Sequence, residues 1–176
     1  MLDSRFMIHD SIILGIDPGY GRMGIAIIKK ERSKDILLHS ECFETNAQFS
    51  HSGRLFLIGK NIEKIIKKHK PNQIAVETLL WSKNKKTALQ VAEARGVILF
   101  LAAKYKILLR EFNPNQVKLA ITGYGKSDKR QVKNMVEKLV KIKSLSRKQK
   151  RYDDEYDAIA IALTGSAILL STENPL

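Results

Sequence analysis

The sequence predicts an α/β fold, a five-stranded mixed sheet flanked by helices on both faces. Three patterns carry this: three strand-like runs in succession, two more alternating with helical segments, and a last helix with no polar side in its middle. Residues 12–17 (IILGID) form a nearly continuous apolar run, as in a strand buried on both faces, and Asp17-Pro18-Gly19 turns the chain after it. Residues 24–28 and 36–43 predict two further strands joined by a charged turn over 29–35, giving a three-strand meander. Leu55, Ile58, Ile62, Ile65 and Ile66 recur at three- and four-residue spacing, so 54–68 predicts an amphipathic helix that Pro71 stops. Residues 73–77 (QIAVE) predict the fourth strand, followed by a polar stretch over 82–86 and a long helix through Lys104. Residues 96–103 of that helix carry no charge, so they belong in the core or against a second subunit. The fifth strand is 107–112. Asn113-Pro114 then opens a short helix to Ile121, with a cap residue followed by proline at the first helical position. Gly123-Tyr124-Gly125 breaks it, and Ser127 is expected to cap the next helix, whose apolar face is Val132, Met135, Val136, Leu139 and Val140. A basic loop over 143–151 leads to a final helix from about Asp153, whose stretch 158–163 (AIAIAL) is expected to pack directly on the sheet.

One domain over 1–176, with a core of about 12–170, accounts for this order. Hydrophobic residues are 44% of the chain, too many for a disordered polybasic segment. No apolar run approaches the roughly 20 residues that cross a bilayer, and the first residues lack a signal-peptide core. One cysteine, Cys42, excludes an internal disulfide, and four scattered histidines show no zinc-ligand spacing. The expected setting is therefore the reducing cytoplasm. The net charge is +13, and it is unevenly placed. Residues 51–110 hold 13 Lys and Arg against 3 Asp and Glu, and 111–151 hold 12 against 3, whereas 152–176 hold none against 5. A basic middle of this size inside a globular domain points to a polyanion, nucleic acid first.

Four acids stand where solubility would not put them. Asp17 ends the first strand, Glu77 ends the fourth, and Asp154 and Asp157 lie three apart on one face at the start of the last helix. Each has an ordinary explanation alone: a turn, a helix-approach acid, or acids favoured by a helix N-terminus. Together they make a cluster whose repulsion is relieved by taking up protons or by binding hard divalent cations such as Mg²⁺. An acidic pocket inside a basic surface is what phosphodiester hydrolysis needs.

These residues resemble the RuvC Holliday-junction resolvases of the ribonuclease H-like superfamily. The matching stretches are 14–19 (LGIDPG), 74–77 (IAVE), Lys83-Asn84 with Ala94-Arg95-Gly96, Gln116-Val117-Lys118, 123–132 with Met135-Val136, and 154–158 (DEYDA) leading into IAIAL. They run in the family's order over most of the chain. The resemblance implies Asp17, Glu77, Asp154 and Asp157 as catalytic acids binding two Mg²⁺ per active site, with Mn²⁺ as a substitute. It further implies a homodimer cutting four-way junction DNA, since two symmetric nicks need two sites related by a two-fold axis, and a branch-migration complex of RuvA and RuvB type as partner. Residues 96–103 are the candidate dimer interface. Lys118 and Lys129 match DNA-contacting lysines of the family, and Lys83, Lys85 and Lys86 are further phosphate-contact candidates. The family commonly has an aromatic three residues after Glu77. Here that position is Leu80 and the aromatic is Trp81, so either Trp81 stacks on a junction base or Leu80 wedges and Trp81 packs. Tyr20 and Tyr124 sit beside motif positions and could contact nucleotides, although tyrosines near turns are more often structural.

Three rival functions fit parts of the pattern. A nuclease of the same fold acting on RNA/DNA hybrids differs in substrate alone. The segment from Asp17 to Gly24 also resembles the phosphate loop of actin-like and sugar-kinase ATPases, which need two such domains. A non-catalytic junction binder would share the basic surface but gain nothing from carboxylates facing DNA.

Overall fold

The structure, a computed structural model, describes residues 11–32, 34–79, 85–140 and 152–168, without the side chains of Lys85 and Lys86. Its elements are β1 (Ser11–Asp17), β2 (Arg22–Glu31), β3 (Lys34–Glu44), α1 (His51–His69), β4 (Gln73–Glu77), α2 (Lys85–Lys104), β5 (Leu108–Phe112), α3 (Pro114–Thr122), α4 (Lys129–Leu139) and α5 (Asp153–Ala167). The sheet order is β3-β2-β1-β4-β5. β2 pairs antiparallel with both β1 and β3, while β4 runs parallel to both β1 and β5. The mixed sheet is as expected, and the alternation of side chains along its strands makes two cores. Ile13, Ala26, Ile28 and Ala75 face α3, α4 and α5, whereas Leu14, Ile16, Ile25, Ile27, Ile74 and Val76 face α1 and α2.

Three differences from the sequence reading have a clear physical reason. The β2–β3 hairpin is tight: Glu31 pairs with Lys34, so the charged residues taken as a turn continue the ladder, and Arg32 supplies the left-handed bend at φ 47°. Charge marks partly buried strand ends here, not a loop, with Lys29 paired to Glu31 and Lys30 to Asp35. α1 begins three residues earlier than expected, because Ser50 caps it by accepting from the Gly53 amide at 3.1 Å. α4 is capped by Asp128 and not Ser127. Asp128 and Gln131 form a reciprocal capping box, while the buried Ser127 hydroxyl donates to the Tyr124 carbonyl at 2.7 Å. The cap at Asn113, by contrast, is as expected, with Gln116 closing its box.

α5 lies directly on β1 and β2 because the strands present glycines to it. A Cβ on Gly15 would come within 2.4 Å of the Ala158 carbonyl oxygen, and one on Gly24 within 1.8 Å of the Asp154 carbonyl oxygen. These two positions bring the first turn of α5 down onto the C-terminal end of β1. Residues 158–163 are buried throughout, as their unbroken apolar run predicts.

Candidate functional site

β1 and β4 are parallel, with Ile16 beside Val76, so Asp17 and Glu77 end neighbouring strands at the same edge of the sheet. α5 crosses that edge and adds Asp154 and Asp157 from consecutive turns. All four acids are partly buried. Burial, followed by the charges of Glu77, Asp157 and Asp154, pushes the Asp17 carboxyl up to about 8. Burial and the Asp157 charge also raise Glu77. Burial raises Asp157, against the opposing pull of Lys129.

Cations sit at the rim of this cluster. Lys129 Nζ, from the first turn of α4, donates to Asp157 Oδ2 at 3.2 Å, and the Asp157 charge raises the lysine's own pKa. Lys118 on α3 is near enough to Glu77 for its charge to oppose the upward shift there. Arg22 Nε stands 3.6 Å from Asp154 Oδ2, with its guanidinium 5.7 Å from the Tyr152 ring centroid. Arg22 was missed in the sequence. The signal was available: it lies two residues before Gly24 on β2, hence on the same face of the strand, and Gly24 touches Asp154.

The four acids offer carboxylate oxygens, which suit hard divalent cations, and the Cys42 thiol 4.0 Å from Asp154 Oδ2 is kept protonated by burial, which pushes it up to about 11. As they stand, no three His, Cys, Asp or Glu side chains among the described residues converge closely enough to hold an ion. Asp157 is turned toward Lys129 and Asp154 toward Arg22, so cationic side chains answer part of the repulsion that a metal would otherwise neutralise.

The remaining sequence candidates distribute differently. Leu80, Trp81 and Lys83 lie outside the described residues, and Lys85 and Lys86 start α2 without described side chains. Tyr20 is structural. Its ring is buried beneath the Arg54 guanidinium at 3.8 Å, and its hydroxyl lies 2.8 Å from His51 Nδ1. Tyr124 is exposed. The uncharged segment of α2 divides between two environments. Ile98, Leu101 and Ala102 are buried against α1 and the sheet, whereas Phe100 remains 64% exposed.

A family model described as crossover junction endodeoxyribonuclease RuvC matches residues 13–165. The crossover junction endodeoxyribonuclease RuvC of Prochlorococcus marinus (strain NATL1A) is 42% identical over 153 residues, covering 87% of this chain and 96% of the relative. That of Thermosipho melanesiensis is 41% identical over 150 residues, covering 85% and 93%. Among solved structures, T. thermophilus RuvC in complex with Holliday junction substrate superposes with a TM-score of 0.81 at 29% identity, covering 89% of this chain and 93% of that one. The yeast mitochondrial Holliday junction resolvase Ydc2 shares the fold, with a TM-score of 0.67 at 18% identity over 88% of this chain and 77% of that one.

Proposed function

This chain belongs to the RuvC family of crossover junction endodeoxyribonucleases, and from that premise we propose that Asp17, Glu77, Asp154 and Asp157 are the acids with which it cuts DNA. It is a metal-dependent endonuclease that resolves Holliday junctions in recombination and repair. The observation that carries the site assignment is geometric: Asp17 and Glu77 end neighbouring parallel strands, α5 brings Asp154 and Asp157 to the same place, and burial with these three acids pushes the Asp17 carboxyl up to about 8. Its carboxylate form is the one that a cation stabilises.

We assign Mg²⁺ as that cation, two ions per site, with Mn²⁺ able to replace it. Bound there, the ions would lower the pKa of the attacking water and stabilise the departing 3′ oxygen, leaving a 5′ phosphate. The protein's own part is to position. Asp17, Glu77, Asp154 and Asp157 would hold the ions through their carboxylate oxygens. Lys129 would exchange Asp157 for a DNA phosphate, and Lys118 would hold the backbone beside Glu77. Lys83, Lys85 and Lys86, with Leu80 or Trp81 at the junction bases, would extend this contact from the segment after Glu77.

The active species is proposed to be a homodimer acting as one nuclease domain per chain. Phe56 on α1 and Leu89 and Phe100 on α2 are each about two-thirds exposed, an apolar display on the face away from the sheet that supports this reading. A cytoplasmic setting and delivery of the junction by a complex of RuvA and RuvB type complete the proposal. No helix of the described residues is long and apolar enough to cross a membrane.

The test is a labelled four-way junction with and without Mg²⁺, beside a linear duplex, an RNA/DNA hybrid and the Asp17→Asn variant. Paired nicks on the junction alone, requiring metal and lost in the variant, are expected. Preferred cleavage of the hybrid would replace the substrate assignment, and wild-type cleavage by Asp17→Asn would overturn the assignment of the acids.

A further inference from the structure

A cavity of 240 Å³ opens beside the acid cluster, lined by Lys129, Arg130, Val132 and Lys133 of α4 and by Asp153, Tyr156 and Asp157 of α5. It shares Lys129 and Asp157 with the candidate active site and adds two cations that the site does not use. Lys133 is half-buried, its Nζ 4.5 Å from the centroid of the Tyr156 ring. Tyr156 is in turn fixed by its hydroxyl donating to Glu137 Oε1 at 2.8 Å. The lysine is therefore supported on a rigid aromatic floor. Arg130 is exposed, and no ion pair joins either Arg130 or Lys133 to an acid among the described residues. Lys129 and Lys133, four residues apart on one helix face, have Cβ atoms roughly 6 Å apart, a spacing on the order of one nucleotide step.

We propose that this cavity is a phosphate subsite, in which Arg130 and Lys133 hold the backbone phosphate next to the one being cut. This rests on the nuclease reading of the neighbouring acids. With Arg130 and Lys133 lining the cavity, neither in an ion pair among the described residues, against the exposed Asp153 beyond the active site, the pocket favours an anion. Its continuity with Asp157 makes the strand entering the active site the anion at hand. Arg130 and Lys133 act as binding residues, holding the strand in register and leaving the chemical step to the acids.

The experiment measures junction binding in EDTA, so that metal and cleavage play no part. Arg130→Gln/Lys133→Gln is expected to weaken binding by about five- to fiftyfold and to flatten the dependence of log K on log salt by about one unit. Lys133→Arg should bind like wild type. A neutral methylphosphonate, moved one phosphate at a time around the cleavage point, should abolish the difference between wild type and double variant at the adjacent phosphate alone. Equal binding by both proteins, or a deficit that no single neutral phosphate removes, would overturn the subsite. Equal binding of junction and duplex by the wild type would sink the junction reading alone, while the neutral-phosphate scan on either DNA still decides the subsite.

Discussion

At Asp17 the usual pH dependence of a carboxylate is reversed. Its pKa is 3.8 in the unfolded chain and about 8 in the fold, so between those limits the folded state binds a proton that the unfolded state has released. Folding stability from this group is thus greatest below about pH 4 and is lost as the pH rises toward 8. Glu77 and Asp157, also raised, act in the same direction. In metal-free buffer the thermal unfolding midpoint should decline from pH 5 to pH 8, and Asp17→Asn should flatten the decline. An identical slope in the variant would acquit Asp17. Added Mg²⁺, if it is the cation these acids hold as proposed, should raise the midpoint most at pH 8, where the acids are deprotonated. The same variant should lose at least about a hundredfold in junction cleavage, more than is typical for loss of a group that only supports a metal ligand. The four acids could be singled out from their places on strand ends and a helix start. Their perturbed titration could not, since it depends on burial and on neighbours 60 to 140 residues away.

Among the elements, α5 depends most on small residues in its neighbours. Gly24→Val would force a side chain into the Asp154 carbonyl, and the helix must lift. Such overpacking costs about 1–3 kcal/mol or more, measurable as a lower urea midpoint. Cleavage should fall at least tenfold even where the variant is fully folded, because Asp154 and Asp157 ride on the displaced turn. Asp128→Ala should cost about 0.5–2 kcal/mol through loss of the α4 cap, whereas a cap at Ser127 would leave stability nearly unchanged on that substitution. The capping box was present in the sequence as Asp128 followed three residues later by Gln131. Ser and Asp are both good caps, and the partner at the third position decides between them. The β2–β3 hairpin departs from its expected turn for another reason. A run of charges does not separate a turn from two strand ends whose charges pair, as Lys29 does with Glu31 and Lys30 with Asp35.

For the whole molecule, α1 and α2 run side by side in the same direction, tied by His51 to Glu93 at 2.8 Å near one end and Lys104 to Glu63 at 2.9 Å near the other. Their outer apolar side chains are the surface on which the proposed dimer would close. Phe100→Asp should leave the fold intact and convert the dimer to monomer in sedimentation, uncoupling the two nicks on a junction. A variant that remains dimeric would move the interface elsewhere. Local pattern in the chain was enough to establish the ten elements, the mixed sheet and the basic middle, because periodicity, turn chemistry and charge are properties of neighbouring residues. Long-range packing settled the rest: Arg22 against Asp154, Lys129 against Asp157, Tyr20 under Arg54, and the cavity between α4 and α5. Those contacts exist because strand pairing and one close helix–sheet crossing bring together side chains that no local pattern relates.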